Sequence, residues 1–89
     1  MPKKKDDPAE MDRMRDWLSE VTDDLGIERE LINHLEVPLL DVVGTIAHGP
    51  SRPGAPLTAF LIGVAVGRGG DGVDLTSRVE SLAQGYGPA

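Results

Sequence analysis

The side chains best suited to binding chemistry in this 89-residue chain are His48, Arg52 and Arg68. The run His48-Gly49-Pro50-Ser51-Arg52 leads into an apolar stretch that begins at Ala55. A helix starting there leaves its first amides without partners, and a cation beside them favours an anion such as a phosphate. The competing role for Arg52 is structural: bonding the carbonyls that close the preceding helix. Arg68 lies in Gly67-Arg68-Gly69-Gly70, which has the glycine content of a phosphate loop but lacks the Lys-Ser/Thr that completes one. A histidine at the position of His48 is also explained by the helix dipole, which favours a cation at a helix end.

Catalysis finds no foothold. The hydroxyls are scattered, and no pair of acids has a spacing that implies acid-base work. The other histidine, His34, and His48 both lack the i,i+4 histidine or neighbouring cysteine that a zinc site needs, and the chain has no cysteine. The expectation is therefore no catalytic residue, no metal and no resident cofactor. His48, Arg52 and Arg68 remain as binding candidates.

The elements that must position these residues read as helices. From Glu10, the apolar positions Met11, Met14, Trp17, Leu18, Val21 and Leu25 recur at three- and four-residue steps and share one face, with Gly26 as a left-handed cap. Ile27 to Leu35 reads as a short second helix with Leu31, Ile32 and Leu35 inward. Pro38 then opens a third helix, because proline lacks a donor and restricts the residue before it. That helix runs to about His48, with Leu39, Leu40, Val42, Val43, Ile46 and Ala47 inward. Gly49, Pro50, Pro53, Gly54 and Pro56 make the next connection stiff.

From Ala55 to Gly67 only Thr58 is polar. A helix apolar on every side reads as buried, and its thirteen residues span only about 20 Å, too short for a bilayer core. A central soluble helix over about 55–67 is expected, and it is expected to be the most buried element. Ala55, Ala59, Gly63 and Gly67 fall on it at four-residue spacing. Glycine inside a helix costs about 1 kcal/mol relative to alanine, so this ridge marks a close approach, either by another helix of the chain or by a second protomer or partner. Ala59, Gly63 and Gly67 are the interface candidates. After a loop at Gly69-Gly70-Asp71-Gly72, Asp74 reads as the N-cap of a last helix carrying Leu75, Val79 and Leu82 and closed by Gly85. The fold class is all-α: a compact bundle of four to five short helices around the central one, with residues 1–9 as a disordered tail and 10–87 as a single domain.

Charge narrows the partners. Residues 10–27 carry six acids against two arginines and residues 28–49 four against one, whereas residues 50–89 balance three arginines with three acids. An acidic front disfavours nucleic acid, whose binding needs Lys and Arg against phosphate. The Lys3–Lys5 run has no apolar segment behind it, so it is not a secretory signal. The absence of cysteine suits a reducing compartment. A cytoplasmic protein that binds neither membrane nor nucleic acid is expected.

The segment AHGPSRPGAPLTAFLIGVAVGRG, residues 47–69, resembles the signature of a small, uncharacterised actinobacterial helical family. Its members occur alone or as the C-terminal appendage of molybdenum-cofactor guanylyltransferases, and are often labelled molybdopterin-guanine dinucleotide biosynthesis proteins. The similarity covers about residues 13–86. Trp17-Leu18, Ala47-His48-Gly49, Arg52-Pro53, Pro56-Leu57-Thr58, Phe60-Leu61, Gly63 and Gly67-Arg68 carry it, while Gly54 and the Lys-rich leader depart from it. The guanylyltransferase's nucleotide loop and metal-binding acids belong to a separate domain and have no counterpart here. The resemblance thus implies a non-catalytic accessory domain in molybdenum-cofactor biosynthesis or delivery. Its partner would be the guanylyltransferase or a molybdoenzyme such as formate dehydrogenase. Two alternatives remain: a homo-oligomer or structural small subunit using the Ala55/Ala59/Gly63/Gly67 ridge, and a binder of the pterin dinucleotide's phosphates through Arg52 and Arg68.

Overall fold

The computed structural model describes residues 7–86. They form four helices: α1 Pro8–Leu25, α2 Arg29–His48, α3 Gly54–Gly67 and α4 Gly72–Tyr86. No strand occurs among the described residues, so the chain is all-α as its periodicities indicate. It divides into two units, one ending at Asn33 and the other beginning at His34. Most of the expected N-terminal tail lies outside the described residues, but Pro8 and Ala9, assigned to that tail, form the first turn of α1.

In the first unit, α1 is closed at both ends by local chemistry. Asp7 is its N-cap, with a carboxylate oxygen accepting from the Ala9 amide at 3.1 Å, and Pro8 follows at the position where a missing N–H costs nothing. At the other end Gly26 takes φ 69°, so its amide reaches the Asp23 carbonyl (3.3 Å) and that of Ile27 reaches Thr22 (2.9 Å). This pair of reversed bonds satisfies carbonyls that the helix end would leave open. Met11, Met14, Leu18 and Val21 are half-buried, and Thr22 is buried with its hydroxyl donating to the Leu18 carbonyl at 2.9 Å. Trp17 and Leu25, expected inward, are exposed. Arg29 joins the start of α2 to α1, donating to the Arg15 carbonyl at 3.0 Å and to the Ser19 hydroxyl.

Two expected helices are one, because Pro38 lies inside α2 instead of opening a new helix. Its missing N–H leaves the His34 carbonyl without a helical donor, and an interior proline costs about 3 kcal/mol. His34 is exposed, so water can serve that carbonyl. On either side of the break, burial of Leu35, Val42 and Ile46 holds the helix in place.

The core of the second unit is a buried cluster of Val42, Ile46, Ala55, Ile62 and Ala83, with Leu39, Val43, Ala47, Val66, Leu75 and Val79 packed on it. The α3–α4 pair is a helical hairpin closed by a turn that only glycine fits. The Gly70 amide donates to the Ala65 carbonyl at 3.0 Å, and a Cβ there would lie 2.6 Å from a Leu75 methyl and 2.9 Å from that carbonyl oxygen. A second close approach seats α4 on α2, where a Cβ on Gly72 would come within 2.6 Å of Leu35. The last helix begins at Gly72, so Asp74 is in its first turn and is not its cap, and Gly85 does not end it.

The expectation that α3 is the most buried element is wrong. Only Ala55 and Ile62 of α3 are buried, against three residues of α2, and Leu57, Phe60 and Leu61 are exposed. The hairpin gives α3 neighbours on one flank and the core beneath it, and no helix of the second unit covers its remaining surface. The small-residue ridge is packed only at its start, where Ala55 lies in the core, and among the described residues a Cβ at Gly63 or Gly67 would meet nothing within 4 Å. Gly63→Ala is therefore expected to stabilise the protein by up to about 1 kcal/mol through helix propensity. A urea denaturation midpoint that falls on this substitution would show that something does approach the helix there.

Candidate functional site

The three polar candidates do not converge. His48 is exposed at the end of α2, where its Nδ1–H donates to the Gly44 carbonyl at 2.8 Å and so closes its own helix. Arg52 precedes α3 and Arg68 follows it. With the fourteen residues of α3 between them, they stand roughly 20 Å apart along its axis, too far to hold one diphosphate. Neither guanidinium bonds any described residue, so Arg52 does not cap α2.

The turn is held by its neighbour. Ser51 Oγ accepts from the Gly54 amide at 3.1 Å, and the Ser51 amide donates to the Ile46 carbonyl at 3.0 Å. A serine oxygen satisfying an amide at a helix start contributes about 1 kcal/mol. Ser51→Ala is accordingly expected to lower the unfolding free energy by about that amount, and Arg52→Ala to leave it within about 0.5 kcal/mol. Urea denaturation of the two variants side by side checks both values.

What α3 and α4 do build is an apolar groove of about 390 Å³. One wall is the α3 stripe Gly54, Thr58, Leu61 and Ala65, and the other is the α4 stripe Leu75, Val79, Leu82 and Tyr86. Ile46 and Ala83 belong to its lining, and Pro50 and Ser51 meet it at the loop. Both stripes step by four, three and four residues, the repeat by which one helix face meets another. Leu82 is 69% exposed and Tyr86 77%.

The polar atoms along the groove are mostly committed. Ser51 Oγ holds the Gly54 amide, and Thr58 Oγ1 donates to the Gly54 carbonyl at 2.8 Å. No lining residue carries a formal charge. A small-molecule site of this volume fixes its ligand with a few convergent polar groups, and this groove offers only the Tyr86 hydroxyl. A contiguous exposed apolar surface is instead the mark of a contact with another macromolecule.

A polar contact that spacing does not reveal lies beside the core. Thr45 Oγ1 donates to Glu80 Oε2 at 2.6 Å and Gln84 Nε2 donates to the same oxygen at 3.2 Å, while Glu80 Oε1 is buried with no partner among the described residues. The Glu80 carboxylate thereby ties α4 to α2. Among the described residues no cluster of three or more His, Cys, Asp or Glu could hold a metal ion, and no helix is long and apolar enough to cross a membrane.

The family model of a domain of unknown function, DUF6457, matches residues 9–89. No curated protein and no solved structure matches the chain.

Proposed function

We propose that the chain, which belongs to the DUF6457 family, is a non-catalytic protein-binding module that receives an amphipathic helix of a partner in the groove between α3 and α4. The observation that carries this reading is the groove itself: two apolar stripes in helical register, with Leu61, Leu82 and Tyr86 left exposed on the free chain. A helix laid along both stripes would cover them as the a and d positions of a bundle are covered. The sequence resemblance suggests where that helix comes from, a molybdenum-cofactor guanylyltransferase or a molybdoenzyme such as formate dehydrogenase, met in the cytoplasm during cofactor synthesis or delivery.

Binding of the pterin dinucleotide's phosphates is the weaker reading. It needs Arg52 and Arg68 at one anion, and α3 separates them. The test is calorimetric titration of the purified chain with each purified candidate protein and, separately, with the free dinucleotide. Saturable binding of a protein that Leu82→Glu abolishes is expected. Tight binding of the dinucleotide alone would overturn the adaptor reading in favour of a cofactor carrier.

A further inference from the structure

The turn between α3 and α4 ends in Asp71-Gly72, the one place in the chain where an aspartate precedes a glycine. An aspartate carboxyl can be attacked by the amide nitrogen of the next residue, closing a five-membered imide, and glycine opposes that approach least because it has no Cβ. A fold suppresses the reaction by holding the carboxylate or the amide in a hydrogen bond. Here neither is held. Asp71 is exposed, and its carboxylate has no hydrogen-bond or ionic partner among the described residues. Gly72 is the first residue of α4, so its amide has no acceptor within the helix, and none of the turn bonds uses it. The positive end of the helix dipole at that nitrogen also favours the amide anion that attacks. We infer that Asp71 is a site of spontaneous backbone isomerisation, converting to isoaspartate through a succinimide shared with Gly72.

The bond that forms joins Gly72 N to Asp71 Cγ, and the bond that breaks releases the hydroxyl of the protonated carboxyl, which leaves with the amide hydrogen as water. Water then reopens the imide. Addition at Cγ restores aspartate. Addition at the main-chain carbonyl carbon leaves Gly72 joined through Cγ, with the former carbonyl as a free carboxylate, and no oxidant or further reactant enters. Other positions lack these conditions. Asp41 and Asp74 precede Val42 and Leu75 within helices, and Asn33 is tied by Arg29, whose Nε donates to its Oδ1 at 3.0 Å.

The change has a structural consequence because of where it falls. The main chain gains a methylene immediately before Gly72, whose backbone lies so close to α2 that a Cβ there would be 2.6 Å from a Leu35 methyl. The Asp71 carbonyl, which accepts from the Leu75 amide at 2.9 Å, is also removed from the main chain. Isomerisation therefore loosens the seat of α4 on α2.

Trypsin releases residues 69–78 as one peptide that holds both Asp71 and Asp74. After prolonged warm incubation of the intact chain at mildly acidic pH, electron-transfer fragmentation of that peptide is expected to show isoaspartate at position 71 and none at 74. Methylation of the aged chain by purified isoaspartyl methyltransferase with radiolabelled S-adenosylmethionine should count the same fraction. Asp71→Glu, whose imide would need a less readily closed six-membered ring, should abolish both signals, and Asp71→Asn should form isoaspartate faster by losing ammonia. The isoaspartate form, separated by chromatography, should unfold at a lower urea midpoint than the unaged chain. An Asp71 that stays unmodified in the chain while the free 69–78 peptide isomerises, or a methylation signal that survives Asp71→Glu, would overturn the inference. An isoaspartate form with the parental midpoint would overturn the loosening of α4. Leu82→Glu, which should lose partner binding in the groove, is expected to isomerise at the parental rate, so the two readings fail separately.

Discussion

Ile62→Ala is expected to remove about 2–5 kcal/mol of folding free energy, whereas Leu61→Ala, one residue earlier on the same helix, should change it by no more than about 0.5 kcal/mol. The two side chains are isomers, so their difference isolates environment. Ile62 is 4% exposed and belongs to the cluster with Val42, Ile46, Ala55 and Ala83, and truncating it opens a cavity between α2, α3 and α4. Leu61 is 64% exposed and turned to the groove, so truncation there removes little area already hidden from water and replaces leucine with the best helix former. Total stability for a small domain is only about 5–15 kcal/mol. Ile62→Ala therefore places a large part of the folded population at risk, and urea denaturation of both variants measures the contrast. Equal losses would mean that α3 is buried all round.

Leu82→Glu is expected to leave the protein folded and to weaken binding of a groove partner by about 2 kcal/mol or more, the scale of an interface hot spot. Leu82 is exposed in the free chain and contributes little to folding. In a complex the same position becomes covered, and a carboxylate there would be stripped of water with no cation along the groove to meet it. Binding and unfolding measured on one preparation distinguish this from general damage, since a variant that lost binding by unfolding would show both losses together.

How much of this was legible in the sequence differs by residue. Gly26 as a left-handed cap and the two-ended apolar run of α3 were readable, because both depend on local chemistry alone. Which side of α3 faces the core was not. Periodicity assigns a buried face only by contrast with a polar one, and a helix carrying Leu57, Phe60, Leu61, Ile62 and Val64 offers no such contrast. An all-round apolar surface suggests burial within the chain, but the core takes up just one stripe of it. Pro38 misled for the opposite reason: its local cost is real, but Leu35 and Val42 on either side are buried in the second unit and carry the helix through. At the Gly-Pro turn the eye goes to Arg52, yet the bond to Gly54 comes from Ser51, a residue with a shorter reach and no charge. The Thr45–Glu80 bond joins residues 35 positions apart, and no spacing rule connects them.

The groove can be watched directly through Tyr86, because it is the chain's one tyrosine and lies on the groove wall. Replacing it biosynthetically with 3-fluorotyrosine gives a single fluorine resonance, whose sensitivity to exchanging H2O for D2O reports contact with solvent. In the free protein that resonance should be solvent-sensitive. Titration with the purified guanylyltransferase or molybdoenzyme should shift it saturably and remove the solvent effect, and the Leu82→Glu chain should show neither change. A partner that binds, as judged by calorimetry, while the Tyr86 resonance stays fixed and solvent-sensitive would contradict docking in the groove between α3 and α4.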